Sequence, residues 1–210
     1  MIMRSFKSPS PQTPFAPVYS YPWCEERLEG INYKKIAKII LKKEPEFLKK
    51  FKPFKRTSEQ SKDGYTGLGD KSLTARYYSY NIFDIDPSIQ ALVPKILSLH
   101  KKFLTALNII HPSKIIIKGW ANVLRKGESI KAHIHDVSPY AYLEGNIPIQ
   151  CDDTSTFYIN PINQINDPEI AETKNEVGLL TLFPSVIPHY TNKHTSSRER
   201  VTIAFGLKPS

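Results

Sequence analysis

The sequence has little cysteine, no long apolar run and no glycine-rich phosphate-binding loop. Its two cysteines, Cys24 and Cys151, lie far apart and match neither a zinc-binding spacing nor a disulfide framework. We therefore expect two reduced thiols in a cytoplasmic protein. No apolar run approaches the roughly 18 residues that a membrane-spanning helix needs, and the first residues lack the apolar core of a signal peptide. We expect no membrane partner.

Positive charge is in excess: 29 Lys and Arg face 20 Asp and Glu, for a formal net charge of +9. Such a balance suits nucleic acid, an anionic surface or an acidic substrate, and does not choose among them. Residues 24–52 combine isoleucines with a run of lysines, which predicts a basic amphipathic helix. Its lysine face is either a contact for a polyanion or an ordinary solvated helix face.

Residues 1–112 are predicted to form an N-terminal arm and a helical support region. Five prolines within residues 1–23 exclude a helix there and favour an extended arm or an edge strand near Phe15–Tyr19. The Lys-, Ser- and Gly-rich residues 53–71 indicate a loop, and the aromatic residues 73–81 indicate a strand.

A second helix is predicted to begin after Asp86, whose side chain is a good N-cap and precedes a proline. Apolar residues then recur at helical spacing as far as Asn108. Pro94 should kink or split this helix. We expect His100, which lies between apolar residues of the helix, to be structural or at the surface.

After Pro112 the apolar periodicity changes from that of a helix to that of a strand. The short strands are predicted at 113–124, 129–135, 141–150, 155–160, 178–183, 186–190 and 200–207. Many short strands separated by turns indicate a sandwich or jelly roll. We therefore predict an α+β fold: a jelly-roll core over residues 113–210, with the preceding helices packed on one outer face, in one integrated domain. The polar residues 160–175 exceed a typical connection and are predicted to be a loop at the rim of an active site.

Three histidines are candidate metal ligands. His133 and His135 are two residues apart on a predicted strand and so share a face. His189 follows far downstream, after a Phe-Pro-Ser turn. Imidazoles and carboxylates that converge from separate strands are what a non-haem Fe(II) centre requires. Asp136 is the alternative to His135, because a chain that turns after His135 would deliver the carboxylate instead.

Arg200 begins an alternating run of otherwise apolar residues. An arginine that points inward from such a strand is costly unless it is paired with an anion, and its planar fork can bind a carboxylate through two hydrogen bonds. Thr202 shares its face. The alternative is an arginine that points outward at a strand edge. Arg198 and His194 lie in a polar loop and are expected to be exposed.

In their order along the chain, these motifs resemble the core of the 2-oxoglutarate and Fe(II)-dependent dioxygenases, in particular the prolyl-hydroxylase-like branch of bacteria and phages. The resemblance covers about the C-terminal half of the chain. It implies a double-stranded β-helix (jelly roll), with Fe(II), 2-oxoglutarate and O2 as cofactors. The metal ligands would be His133, His135 and His189, and Arg200 and Thr202 would hold the cosubstrate. The family usually has an aspartate where this chain has His135.

The resemblance also implies cosubstrate contacts on neighbouring strands, for which Asn122 and Tyr158 are candidates, although either residue is equally compatible with core packing. It implies a hydroxylase that releases succinate and CO2, acting on a peptidyl (prolyl-like) residue, a nucleobase or a small metabolite. Two alternatives remain open. A three-His, cupin-like metalloenzyme without cosubstrate would have no use for Arg200, and a basic nucleic-acid-binding jelly-roll module would leave the ordered histidines unexplained.

Overall fold

The structure is a computed structural model that describes residues 1–54, 66–162 and 166–210. Within these residues, three α-helices and nine β-strands follow one another along the chain. They are β1 (Ile2–Lys7), β2 (Ser20–Arg27), α1 (Tyr33–Lys50), α2 (Pro87–Gln90), α3 (Leu92–Ala106), β3 (Ile115–Leu124), β4 (Leu143–Gln150), β5 (Ser155–Ile159), β6 (Ile170–Lys174), β7 (Leu179–Pro184), β8 (His189–Thr191) and β9 (Arg200–Pro209). None of the helices in these ranges is long and apolar enough to cross a membrane.

The strands form two antiparallel sheets. The larger has six strands in the order β1-β2-β7-β4-β9-β3, and the smaller has three in the order β6-β5-β8. Strands that are distant in sequence, such as β3 and β9, are neighbours over their whole length. This mostly antiparallel, two-sheet arrangement is jelly-roll-like, as the sequence predicted.

The two faces of the larger sheet differ in chemistry. On β9, Val201, Ile203 and Phe205 belong to the main hydrophobic core, which also contains Ile36 of α1 and Leu99 of α3. Because side chains alternate along a strand, the residues between them point to the opposite face. That face carries polar groups and looks toward the smaller sheet. The sequence alternation therefore separates an apolar face, which belongs to the main hydrophobic core, from a polar inner face.

Hydrogen bonds between the sheets identify the polar face as the interior of the jelly roll. The Asn146 amide of β4 donates to the Tyr158 hydroxyl of β5 at 3.2 Å. The Thr173 hydroxyl of β6 donates to a Glu25 carboxylate oxygen of β2 at 2.6 Å. Polar side chains inside a fold persist when they are hydrogen-bonded or await a ligand, so a functional site belongs between the sheets.

Local sequence explains the helix boundaries. Asp86 caps α2, since its carboxylate accepts from the Ser88 N–H at 2.7 Å, as predicted. The helix breaks at Ala91, and Pro94 lies in the first turn of α3. There its missing N–H would have had no partner within the helix, so Pro94 splits the predicted helix without kinking α3. Asn108 has a φ of 55° and ends the helical region.

The N-terminal region differs from its prediction. The edge strand is β1, at Ile2–Lys7, and the residues around Phe15–Tyr19 are not a strand. The helix predicted within residues 24–52 is α1, but it begins only at Tyr33, because the residues up to Arg27 form β2 between β1 and β7. The sequence did not predict β2, because its proline and two glutamates interrupt the alternation of apolar and polar residues.

Three further predictions were wrong in whole or in part. The predicted strand at 73–81 contains a single 3-10 turn, Thr74–Arg76. The predicted loop at 160–175 contains β6, and its residues 163–165 lie outside the described residues. Of the loop predicted at 53–71, residues 55–65 also lie outside the described residues. The predicted strand at 129–135 is an irregular segment with one β-bridge, between His133 and His189.

Candidate metal and cosubstrate site

Three imidazoles converge between the sheets. One ring nitrogen of each of His133, His135 and His189 lies within 4.8 Å of the other two. His189 is buried, and the other two are partly exposed. The sequence predicted these three residues as a set, and the structure brings all three together.

Backbone pairing with β8 positions the cluster. The N–H of His133 donates to the His189 carbonyl at 3.1 Å, and the N–H of His189 donates back at 3.0 Å. This bridge places the two rings next to each other, with centroids 4.4 Å apart. The His135 N–H donates to the Ser185 carbonyl at 3.1 Å, directly after β7. The segment is thus held at several points, although it is not the regular strand that the sequence suggested.

Each imidazole has an oxygen within 3.1 Å of Nδ1. The nearest oxygen is the Lys131 carbonyl for His133, at 2.8 Å, and the Ile187 carbonyl for His189, at 3.1 Å. A carbonyl only accepts, so Nδ1 carries the proton and Nε2 keeps its lone pair. For His135, a Glu144 carboxylate oxygen lies 3.1 Å from Nδ1, in a close contact without a hydrogen bond.

The converging nitrogens have a separation that suits a shared metal ion. Nε2 of His135 and Nε2 of His189 are 3.3 Å apart. Two imidazole nitrogens bound at right angles to one metal, each at about 2.1 Å as for zinc, would lie about 3 Å apart. Burial, and then the neighbouring His133 and His135, hold the pKa of His189 well below its usual value. Its neutral form is the form that binds a metal.

Asp136 does not join the cluster. Its carboxylate accepts from the Ser138 N–H at 2.8 Å and from the Ser138 hydroxyl at 3.1 Å. These hydrogen bonds lower its pKa and hold it in a local turn. Of the two alternatives that the sequence left open, the structure brings His135 to the other histidines and turns Asp136 away.

Arg200 is a buried cation on the inner face of β9. Its side chain is 2% exposed, and no described residue accepts a hydrogen bond from Nε or Nη1. Burial lowers its pKa to about 10. Thr202, on the same face, has a buried hydroxyl that likewise lacks a partner among the described residues. Buried cationic donors without acceptors are costly, so Nε and Nη1 of Arg200 and the Thr202 hydroxyl would suit a bound anion.

Tyr158 lies between the histidines and Arg200. It is fully buried, and its ring centroid is 6.0 Å from that of His189. Burial raises its pKa, and the positive charge of Arg200 opposes this increase. Asn122 lies opposite Thr202 in the β3–β9 register. Its side-chain amide oxygen, Oδ1, accepts from the Thr74 hydroxyl at 2.6 Å. Both predicted cosubstrate residues therefore point to the inner face.

The polar loop before β9 behaves only partly as predicted. Arg198 is exposed and forms an ion pair with Asp152. His194, predicted to be exposed, is buried, and its Nε2 lies 2.6 Å from the Arg198 carbonyl. Its backbone pairs with the turn at residues 127–128. His100 is structural, with Nε2 2.8 Å from the Tyr142 hydroxyl.

Sequence reasoning missed two neighbours of the site. Glu144, on β4, contacts His135, and Trp23, on β2, stacks on Tyr158 with ring centroids 5.9 Å apart. One signal was available: Glu144 and Asn146 occupy alternate positions of an otherwise apolar strand. This alternation indicates a polar inner face. No local signal pointed to Trp23, because β2 itself went unrecognised.

Comparison with known proteins agrees with this geometry. Residues 118–206 match the model of a family described as "Putative 2OG-Fe(II) oxygenase". None of the curated proteins is significantly similar to the chain in sequence.

Solved structures with this fold share little sequence with the chain. A prolyl-4-hydroxylase from Pseudomonas putida aligns with a TM-score of 0.56 at 8% identity, over 90% of this chain and 92% of its own. AviO1 from Streptomyces viridochromogenes Tue57 aligns with a TM-score of 0.58 at 9% identity, over 89% of each chain. SnoN, a non-haem alpha-ketoglutarate-dependent epimerase from nogalamycin biosynthesis, aligns with a TM-score of 0.53 at 10% identity, over 89% of this chain and 76% of its own.

Residues 118–206, which are less than half of the chain, therefore resemble the 2-oxoglutarate/Fe(II)-dependent oxygenase superfamily. Fe(II), 2-oxoglutarate and O2 are the cofactors of that superfamily. The donor set fits them, because three imidazoles present nitrogen ligands that suit iron, and the buried Nε and Nη1 donors of Arg200 suit a carboxylate.

Proposed function

We propose that this protein is a 2-oxoglutarate-dependent hydroxylase that binds Fe(II) through His133, His135 and His189 and 2-oxoglutarate through Arg200. In the net reaction, a substrate C–H bond, 2-oxoglutarate and O2 give the alcohol, succinate and CO2. The observation that carries the proposal is the buried Arg200, whose Nε and Nη1 have no partner among the described residues. A metal site that uses no cosubstrate would leave this cation unexplained.

Each residue of the site has a physical task. The bound iron and cosubstrate supply the oxidising chemistry, and the protein supplies orientation and a shaped interior. Arg200 and Thr202 face the same way on β9, so they can hold one carboxylate with parallel hydrogen bonds. Phe183, whose ring centroid is 4.8 Å from that of His189, and the buried Tyr158 exclude water from the metal on this side.

For the substrate, we propose a peptidyl, prolyl-like residue. Trp120 lies beside His135, with centroids 5.7 Å apart, and Tyr77 lies 5.5 Å from Trp120. A partly exposed aromatic surface next to the metal ligands suits an apolar ring. The shared fold with a prolyl-4-hydroxylase supports the proposal, whereas an epimerase with the same fold shows that hydroxylation has to be tested.

Three lesser proposals concern the surroundings of the site. The lysine-rich face of α1, where Lys34, Lys35 and Lys38 are exposed, would contact a polyanionic partner. The helices would support the larger sheet from outside and leave the inner face to the cofactors. The protein would act in the cytoplasm.

Anaerobic titration tests the assignment of the cofactors. We expect that Fe(II) followed by 2-oxoglutarate will produce a metal-to-ligand charge-transfer absorption band, because the cosubstrate chelates the iron. Succinate is the matched control. It lacks the 2-oxo group, so adding it in place of 2-oxoglutarate should give no band. If iron binds but 2-oxoglutarate gives no band, the three-His metalloenzyme without cosubstrate becomes the better description.

Hydroxylation needs a separate measurement. We expect proline-containing peptides incubated aerobically with the iron-loaded protein and 2-oxoglutarate to gain one oxygen atom, derived from isotopically labelled O2. Succinate release without a change in peptide mass would show that the cosubstrate is consumed and that this peptide is not the substrate. A product with an oxygen atom from water would contradict the hydroxylase proposal.

Two alanine variants test the choice of the second ligand. His135→Ala should weaken Fe(II) binding by at least about a hundredfold, since even residues that only support metal ligands cost roughly 10–100-fold when changed. Asp136→Ala should leave Fe(II) affinity near that of the unchanged protein, because its carboxylate is held by Ser138. Calorimetry with Mn(II) in place of Fe(II) measures both. The opposite ranking would assign the ligand to Asp136.

A further inference from the structure

Glu144 is the charged side chain that faces His135 from the larger sheet. Oε2 of Glu144 lies 3.1 Å from Nδ1 of His135, on the side of the ring away from His189. The carboxylate is mostly buried, with 15% of the side chain exposed. Oε2 has no hydrogen-bond partner among the described residues, so its 3.1 Å approach to Nδ1 is a close contact and not a hydrogen bond.

Gly206 on the neighbouring strand leaves the space that this carboxylate occupies. Glu144 and Gly206 are direct partners in the β4–β9 register. A Cβ atom at position 206 would lie 2.8 Å from Oε1 and 3.1 Å from Oε2 of Glu144. Any side chain larger than hydrogen would therefore move the carboxylate. The strand pairing and the glycine together fix Glu144 against His135.

The ligand set gives this carboxylate a reason to be there. In two-His, one-carboxylate iron sites, the carboxylate ligand brings one negative charge to the metal. Three neutral imidazoles bring none. Glu144 adds one negative charge directly behind one imidazole. It also offers an acceptor that keeps the Nδ1 proton in place, so that Nε2 remains free to bind the metal.

We propose that Glu144 is a positioning residue of the metal site. It contacts Nδ1 of His135, orients Nε2 toward the metal and supplies from behind the ring the charge that a carboxylate ligand would supply directly. This inference rests on the proposed role of His135 as an iron ligand. It extends the proposed function, because it says how a three-His set can serve in an oxygenase.

The glutamine variant separates charge from hydrogen bonding. Glu144→Gln keeps an oxygen that can accept from Nδ1 and removes the negative charge. We expect Mn(II) affinity, measured anaerobically by calorimetry, to fall roughly 10- to 100-fold. The Fe(III)/Fe(II) potential of the iron-loaded protein should also become more positive, because a lost negative charge disfavours the ferric ion. A residue that serves packing alone would leave the potential unchanged.

Gly206→Ala is the complementary variant, because it displaces the carboxylate without changing the charge or the ligands. It should weaken Mn(II) binding in the same direction as Glu144→Gln. The thermal unfolding temperature of each apo variant should stay close to that of the unchanged protein, since the colliding atoms lie at the end of a flexible side chain. If Glu144→Gln unfolds, Gly206→Ala still tests the proposal.

A double variant distinguishes this inference from the assignment of the metal site itself. In a His135→Asp background the imidazole is absent, so Glu144→Gln should weaken Mn(II) binding less than it does beside His135, because only the through-space effect of its charge is lost. If the unchanged protein binds no metal, the proposed function fails. If it binds metal but Glu144→Gln changes neither affinity nor potential, only the role of Glu144 is overturned. Equal weakening in both backgrounds would also overturn it.

Discussion

Replacing Arg200 with alanine should raise the dissociation constant of 2-oxoglutarate by at least about a hundredfold and leave metal affinity nearly unchanged. The cosubstrate is a dianion, and the carboxylate that is remote from the metal must be buried between the two sheets. Arg200 already lies there, 2% exposed and without a partner for Nε and Nη1 among the described residues. Removing one partner of a buried ion pair costs roughly 3–5 kcal/mol, or several hundredfold or more in affinity.

Arg198→Ala is the matched control for this measurement. Arg198 is two residues away and exposed, and it forms an ion pair with Asp152 at the surface. Exposed ion pairs contribute little, so the cosubstrate affinity should change by only a small factor. Calorimetry of both variants with 2-oxoglutarate, under anaerobic conditions with Mn(II) bound, compares them. An unchanged dissociation constant for Arg200→Ala would remove the cosubstrate from this site and favour the three-His alternative.

The direction in which Arg200 points could be predicted from the sequence because strand alternation is a local property. Val201, Ile203 and Phe205 are apolar, so the residues between them must point to the other face of β9. The structure places that face inside the jelly roll, with Thr202 next to Arg200. The same parity applies to β4 and orients Glu144 and Asn146. A strand that is buried on both faces but polar on one indicates a site.

The structure places His133 close to His135, but not for the reason that the sequence suggested. A regular strand over residues 129–135 would have put both side chains on one face, but this segment makes a single β-bridge. Its N–H groups instead donate to carbonyls in different parts of the chain. The Lys131 N–H donates to the Thr66 carbonyl, and the His135 N–H donates to the Ser185 carbonyl. These contacts depend on the tertiary fold, so no periodicity in the sequence could reveal them.

Tertiary contacts also explain the side chains that the sequence misjudged. His194 lies in a stretch of polar residues, and only its backbone pairing with Gly127 and Glu128 shows that it is buried. In the sequence, Glu144 cannot be distinguished from a surface glutamate. Only the register of β4 and β9 shows that it lies opposite a glycine and against His135. A single sequence shows which residues share a face of a strand, but not which strand lies next to it.

His189→Ala should abolish specific metal binding and all succinate formation that depends on 2-oxoglutarate. His189 is the buried member of the cluster, and its Nε2 lies 3.3 Å from that of His135. With this imidazole gone, the two remaining histidines cannot complete a three-nitrogen face, and affinity should fall by more than the roughly 10–100-fold that supporting residues cost. Calorimetry with Mn(II) and a succinate assay measure the two losses.

The variant should remain folded, because the β8 backbone still pairs with β5 when the side chain is removed. Losing a buried ring that packs on Phe183 should cost about 1–3 kcal/mol, which is less than the stability of a typical domain. His111→Ala is the control, since that histidine is exposed and bonded to Thr105. A folded His189→Ala protein lacks only this imidazole. If it binds metal and turns over like the His111→Ala control, the iron must be bound elsewhere.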